Sequence, residues 1–293
     1  MRTSQRTILF SIYSLCLILA NVGVLRALID LSRTNYTASH HIFIPLVTLA
    51  LIFQRRDVIF SNVRSARTAG VSVILTGLAL ALWGSRYWGF GGQDNSLSLM
   101  VGALVALSVG GFLLCYGLEA FRAALFPLLL LGFMIPMPRT LLDGATLFLK
   151  RGSTETVDGL FTLTGTPYYR EGFVFSLPTF AIEIADECSG IRSSIALLLT
   201  SLLAGHMFLT SAWKKAILVV AIFPVTILKN GIRIVSLSLL AMHVDPGFLT
   251  GQLHREGGIV FFLLALAILA PILALLRSSE TAPGFSIHFP EHR

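Results

Sequence analysis

A chain of 293 residues that is 55% hydrophobic and only 13% charged departs from ordinary soluble domains, where about 25% of residues carry charge, so it reads as an integral membrane protein. Its formal net charge of +7 does not call for nucleic acid, because the basic residues stand singly or in small groups between apolar runs, as orientation signals do. Three cysteines are too few and too scattered for a disulfide framework; Cys16 and Cys115 lie inside apolar runs, and only Cys188 has polar neighbours.

A helix needs about 20 apolar residues to cross a bilayer. About eight stretches qualify, over 8–29, 38–53, 68–83, 97–118, 123–137, 189–209, 216–242 and 257–276. The expected fold is an all-α integral membrane protein, a single polytopic domain over 1–293 with a polar tail at 278–293. The basic start resembles a signal peptide, but no small-residue cleavage site follows and the apolar stretch is too long, so it reads as a retained first span. The second and fifth stretches are short, about 24 Å or less at the helical rise.

Charge argues that both short stretches cross. With every stretch spanning, Arg2, Arg6, Arg55, Arg56, Arg64, Arg67, Arg122, Lys214, Lys215, Arg277 and Arg293 collect on one side, while the short loops opposite carry little more than Arg33, Arg86 and Arg255. The positive-inside rule then places both termini in the cytoplasm. The segment 138–188 is extracytoplasmic in this arrangement; long loops translocate largely regardless of charge. Its apolar residues from Leu141 to Phe161 recur at helical spacing and predict one or two interfacial helices. From Tyr168 to Ile184 it turns aromatic and β-branched around Gly172 and Pro178, which predicts a short hairpin.

Polar residues within or at the rim of a span are costly and point to function. Three clusters stand out. At the start of the sixth stretch, Asp186-Glu187-Cys188-Ser189-Gly190-Ile191-Arg192 offers a thiol at a helix N-terminus, favoured as thiolate by the helix dipole and Arg192 and opposed by the acidic pair. By itself this cluster fits a helix cap equally well, with Ser189 or Asp186 accepting backbone N–H groups. In the seventh stretch, Lys229-Asn230-Gly231-Ile232-Arg233 interrupts the apolar run, with Lys229 and Arg233 one turn apart on one face; the other reading of Arg233 is an arginine reaching for headgroups. At the entrance of the eighth, His254 precedes Arg255-Glu256-Gly257-Gly258, and His40, His41 and His243 compete with it as the acid and base.

Topology links the three, because Cys188, Arg233 and His254 fall at the outer face of three successive helices. A thiol, a guanidinium and an imidazole suffice for acyl transfer, as nucleophile, oxyanion donor and general acid and base. No His, Cys, Asp or Glu set has zinc-like spacing, so no metal and no cofactor are expected.

The ordered strings Glu187-Cys188-Ser189-Gly190-Ile191-Arg192-Ser193, Asn230-Gly231-Ile232-Arg233 and His254 before Gly257-Gly258 and Phe261-Phe262 resemble the Cys, Arg and His motifs of the exosortase and archaeosortase family. Upstream, Ser39-His40 before Ile44-Pro45 and Arg55-Arg56, and Ile135-Pro136-Met137-Pro138, are similar to further stretches of that family. Histidine at 254, where the archaeal branch often has arginine, points to the bacterial branch. The resemblance implies an inner-membrane enzyme that recognises exported proteins ending in a short motif such as Pro-Glu-Pro, a transmembrane helix and a basic tail. It would cleave near the motif and transfer the product to a surface acceptor. It also implies that Cys188 is the nucleophile, Arg233 the oxyanion or substrate-positioning group and His254 the acid and base, with Arg192 and Asn230 as supporting residues. Two alternatives remain open from the residues: a membrane cysteine protease that releases its product by hydrolysis, and a non-enzymatic transporter or scaffold for polysaccharide export in which Lys229 and Arg233 hold an anionic group.

Overall fold

The computed structural model describes residues 3–35, 38–87, 93–249 and 258–280. It is an all-α membrane protein with one small sheet, and it divides into two compact units, Met1–Leu142 and Asp143–Arg293.

In the first unit, α1 (Thr3–Ala20) and α2 (Val22–Thr34) occupy the first apolar stretch as two helices bent by 71°. Asn21 sits at the bend and donates from Nδ2 to the Leu17 carbonyl at 2.9 Å, the kind of local side-chain bond that competes with the backbone ladder. After α3 (Phe43–Gln54) and the single turn α4 (Arg56–Ile59), α5 (Arg67–Tyr87) and α6 (Gln93–Ala123) form an antiparallel pair. The Ala66 N–H donates to Leu113 O at 3.2 Å, and Arg6 donates to Cys115 O at 2.9 Å. Ile59, Phe112, Tyr116, Ala120, Ala124 and Leu128 form a core at this end, with Phe10 and Phe60 packed on it. α7 (Leu125–Leu130) and a 3-10 turn, Leu131–Met134, end at a corner before α8 (Arg139–Leu163). Pro136 and Pro138 lie at this corner; neither has an N–H to continue a helix, and each disfavours the α conformation in the residue before it.

In the second unit, α8 is one continuous amphipathic helix where one or two were expected. It buries Leu149, Ser153, Thr154, Val157 and Phe161. The expected hairpin is a three-stranded antiparallel meander: β1 (Tyr169–Glu171), β2 (Val174–Ser176) and β3 (Ala181–Glu183), turned at Gly172 and Pro178. The third strand exists because Ile182 pairs with Phe175, which lets the sheet close over Val157, Phe161 and Val235 in one core. α9 (Ile191–Phe208), α10 (Ala212–Val220), α11 (Ile222–His243) and α12 (Gly258–Ser278) pack around Leu197, Leu218, Ile222, Val225, Ala265 and Leu269.

Among the described residues, five helical segments are long and apolar enough to cross a membrane, or up to seven if each bent pair is one span. The figure of about eight would further require the short helix α3 to cross. Leu82 and Ile259 are 69% and 70% exposed on such helices, a placement that suits lipid.

Candidate active site

Cys188 ends a 3-10 turn, Asp186–Cys188, just ahead of α9. Gly190 follows in the left-handed region (φ 85°), a conformation that only glycine adopts without a Cβ penalty. A Cβ there would come into ordinary contact with Asn230 and Thr226 of α11, 3.4 Å from each, so the backbone conformation and not space favours glycine. The chain therefore turns sharply at Gly190 and leaves Cys188 half-buried at the helix mouth. Ser189 is buried, and its Oγ accepts the Ile191 N–H at 3.4 Å. Ser189 thus accepts the first N–H of α9, while Gly190 at the N-cap position makes no side-chain cap bond.

Asn230 ties the turn to α11. Its Nδ2 donates to Cys188 O at 2.6 Å and to Ser153 Oγ of α8 at 3.0 Å. A single fully buried amide thus joins the thiol-bearing turn, the amphipathic helix and the Arg233 helix. The neighbouring Gly231 permits this approach, because a Cβ on it would overlap the Thr156 side chain of α8.

Asp186, two residues before the thiol, is ion-paired. Lys150 of α8 reaches Asp186 Oδ1 at 2.9 Å and lies 4.5 Å from the centre of the Phe173 ring. Lys150 falls outside the three sequence clusters. Its only sequence signal is its place on the polar face of the helix predicted over the loop.

Beneath the turn, Lys229 is 3% exposed and donates to Ser193 Oγ at 2.6 Å. Ser193 passes the contact on by donating to Gly190 O at 2.9 Å. Asn230 Oδ1 and Thr226 Oγ1 are buried without a hydrogen-bond partner, which is uncommon for buried polar atoms. Arg233, one turn beyond Lys229, is half-buried, whereas Arg192 is exposed. Of the sequence-derived site residues, Cys188 and Asn230 are in direct contact, and Arg233 stands on the same helix as the amide that holds Cys188. His254 lies outside the described residues. His243 is exposed at the end of α11, and His40 and His41 belong to the first unit.

The architecture defines a multi-pass, all-α membrane protein with a cysteine-bearing turn clamped to a polar transmembrane helix. The chain belongs to the transmembrane exosortase family, whose profile matches residues 32–271. That stretch contains the sheet, Cys188, Arg233 and His254. No curated protein and no solved structure matches the chain.

Proposed function

We propose that this exosortase-type membrane protein is a cysteine transpeptidase acting on C-terminal sorting signals, with Cys188, Arg233 and His254 as its catalytic residues. The observation that carries the reading is the 2.6 Å hydrogen bond from Asn230 to the Cys188 carbonyl. It ties the cysteine string to the arginine string across 42 residues, so the two family motifs form one structural unit. Lys150 supports the reading by a second tie, an ion pair from α8 to Asp186 in the turn that carries Cys188.

In the proposed reaction His254 takes the thiol proton as the Cys188 sulfur attacks the scissile carbonyl carbon, forming a C–S bond while Arg233 donates to the oxyanion. Collapse of the tetrahedral adduct breaks the C–N bond, and His254 gives the leaving amine its proton. The resulting thioester is attacked by an acceptor nucleophile, which loses its proton to His254 as the thiol is regenerated. The substrate is an exported protein ending in a short motif such as Pro-Glu-Pro, a transmembrane helix and a basic tail. The site faces the outer side of a bacterial inner membrane, with both termini in the cytoplasm and an acceptor at the surface.

The fate of the acyl-enzyme tests this. A transferase excludes water, so hydroxylamine added to the outer side of membranes should accelerate turnover of a tagged substrate and leave a hydroxamate at the new C-terminus. Cys188→Ala and His254→Ala should each abolish it. Cleavage that is fast in water, unchanged by hydroxylamine and ending in a free carboxylate would identify a hydrolase. Full processing by Cys188→Ala would remove the enzymatic reading.

A further inference from the structure

The first unit holds a partly open apolar cavity of about 370 Å³ between α1, α2, α3, α6 and α7. It lies within the usual ligand-pocket range of about 300–1,000 Å³. Its walls include Phe10, Leu104, Phe112 and the hydroxyls of Ser14, Thr48, Ser108 and Tyr116. Three of those hydroxyls are already committed: Thr48 to Pro127 O at 3.2 Å, Ser108 to Leu104 O at 2.8 Å and Tyr116 to Thr7 Oγ1 at 3.5 Å. A polar metabolite entering here would lose its hydration with little to replace it. A hydrocarbon chain would lose nothing, and in a membrane it is the solvent next to the opening.

Charge at one end of the cavity names the rest of the occupant. Arg6 lies one turn before Phe10 and reaches Cys115 O. Arg55 follows the end of α3 and Arg56 opens α4, just beyond the lining residue Ile52. Arg64 and Arg67 flank Ala66, whose N–H reaches Leu113 O next to the lining residue Phe112. Arg55, Arg56, Arg64 and Arg67 are exposed. The acidic groups at this end are Asp57, 3.8 Å from Arg56, and Glu119, which is exposed. Basic residues at the mouth of a cleft between transmembrane helices attract anionic lipid headgroups. We infer that the first unit carries a binding site for an anionic glycerophospholipid, with an acyl chain in the α1–α3–α6 cavity and the phosphate at the arginine cluster. The occupant is an acyl chain rather than a second protein helix, because the cavity is far smaller than a helix about 10–12 Å across and about 30 Å long.

The test uses full-length protein in nanodiscs of phosphatidylcholine doped with phosphatidylglycerol, with retained lipid quantified by native mass spectrometry. Wild type should retain phosphatidylglycerol in preference to phosphatidylcholine. Replacing Arg55 and Arg56 together by Gln should lower that preference about tenfold while leaving chain occupancy intact. Ser108→Phe, or Val105→Phe if the first variant misfolds, should fill the cavity and remove the retained lipid of either headgroup. As a measurement on unaltered protein, phosphatidylglycerol with a diazirine on its acyl chain should label the lining positions of α1 and α6 above the lipid-exposed face of α12. Equal retention of both lipids by wild type, unchanged retention in the filled variants, or label spread evenly over α1, α6 and α12 would each overturn the site.

Discussion

Two buried lysines in the second unit make opposite use of the same chemistry. Lys214, 5% exposed, closes a complete cluster. It donates to Leu276 O at 3.3 Å and Ser279 Oγ at 2.8 Å, and lies 3.9 Å from Glu280. Glu280 in turn accepts the backbone N–H groups of Thr210 and Ser211 at 2.9 Å each. Lys229, 3% exposed, has Ser193 Oγ as its partner, and among the described residues no carboxylate pairs with it. Beside it Asn230 Oδ1 and Thr226 Oγ1 are left without partners. A satisfied cluster fastens α12 to the start of α10, while an unsatisfied one keeps polar capacity in reserve next to Cys188. In a membrane protein the second kind is a reason to test that end for function.

The largest effect expected at that end is on Arg233. Its guanidinium presents a planar fork of donors that an ammonium cannot copy. Losing an oxyanion-type donor costs about 2.7–4 kcal/mol, or roughly 100- to 1,000-fold in rate. Arg233→Lys should therefore accumulate in the membrane yet nearly stop processing a tagged sorting-signal substrate. Activity within a few-fold of wild type would move the oxyanion role elsewhere, and the same substitution at the exposed Arg192 would then decide whether it is the replacement.

Asn230→Leu sharpens the comparison from the clamp side. It removes both donors, leaving Cys188 O and Ser153 Oγ without them; each unsatisfied buried polar group costs about 1–3 kcal/mol. A nucleophile misplaced by about 1 Å can lose about 100-fold in rate. The expected signature is a lower kcat with KM little changed, because Asn230 holds the attacking turn. A rise in KM alone would instead make the amide a substrate contact.

How much of this was legible in the sequence follows from the range of each interaction. The apolar runs specify helices locally, so α5, α6, α9, α11 and α12 emerge near their expected limits. The bends do not follow from hydropathy: at Asn21 an apolar run continues unbroken through a 71° turn, because one amide bonds its own helix. The third strand depended on the pairing of Phe175 with Ile182, which composition does not encode. At the site, Cys188, Asn230 and Arg233 were readable because polar residues are scarce in apolar stretches. Ser153 and Ser193 are ordinary helix-face serines until folding brings α11 beside them. Lys150 was hidden among the charges of a long loop.

The two lysines can be compared directly through stability. Lys214→Met leaves Glu280 without its ammonium and Ser279 Oγ without a donor, so a loss of about 1–3 kcal/mol is expected. Lys229→Met removes a buried cation that has no acid to satisfy. Replacing such a group by an apolar side chain of similar length is often neutral or stabilising. Thermal unfolding in detergent should rank Lys214→Met below wild type and Lys229→Met level with it or above. Equal losses in both variants would show that Lys229 is an anchor like Lys214 and would close the distinction between the clusters.

The smallest effect is a pH dependence confined to the closed cluster. Backbone hydrogen bonds from Thr210 and Ser211 hold the Glu280 carboxyl down to a pKa of about 2, against an ordinary value of 4.5. The ionised form is therefore favoured in the folded state. Its contribution is fully present above the unfolded value and is lost as pH falls from about 4.5 towards about 2. Because the carboxylate lies near the polar tail, salt should weaken the effect. Glu280→Gln retains one carbonyl oxygen for a single amide but loses the charge. Its melting temperature should lie below that of wild type at neutral pH and converge with it in acid, with the convergence over that window. A gap of constant size from pH 7 to pH 2 would mean that shape rather than charge fastens α12. The closed cluster would then owe its stability to the hydrogen bonds of Lys214 and the packing around Leu276, with Glu280 as a spectator.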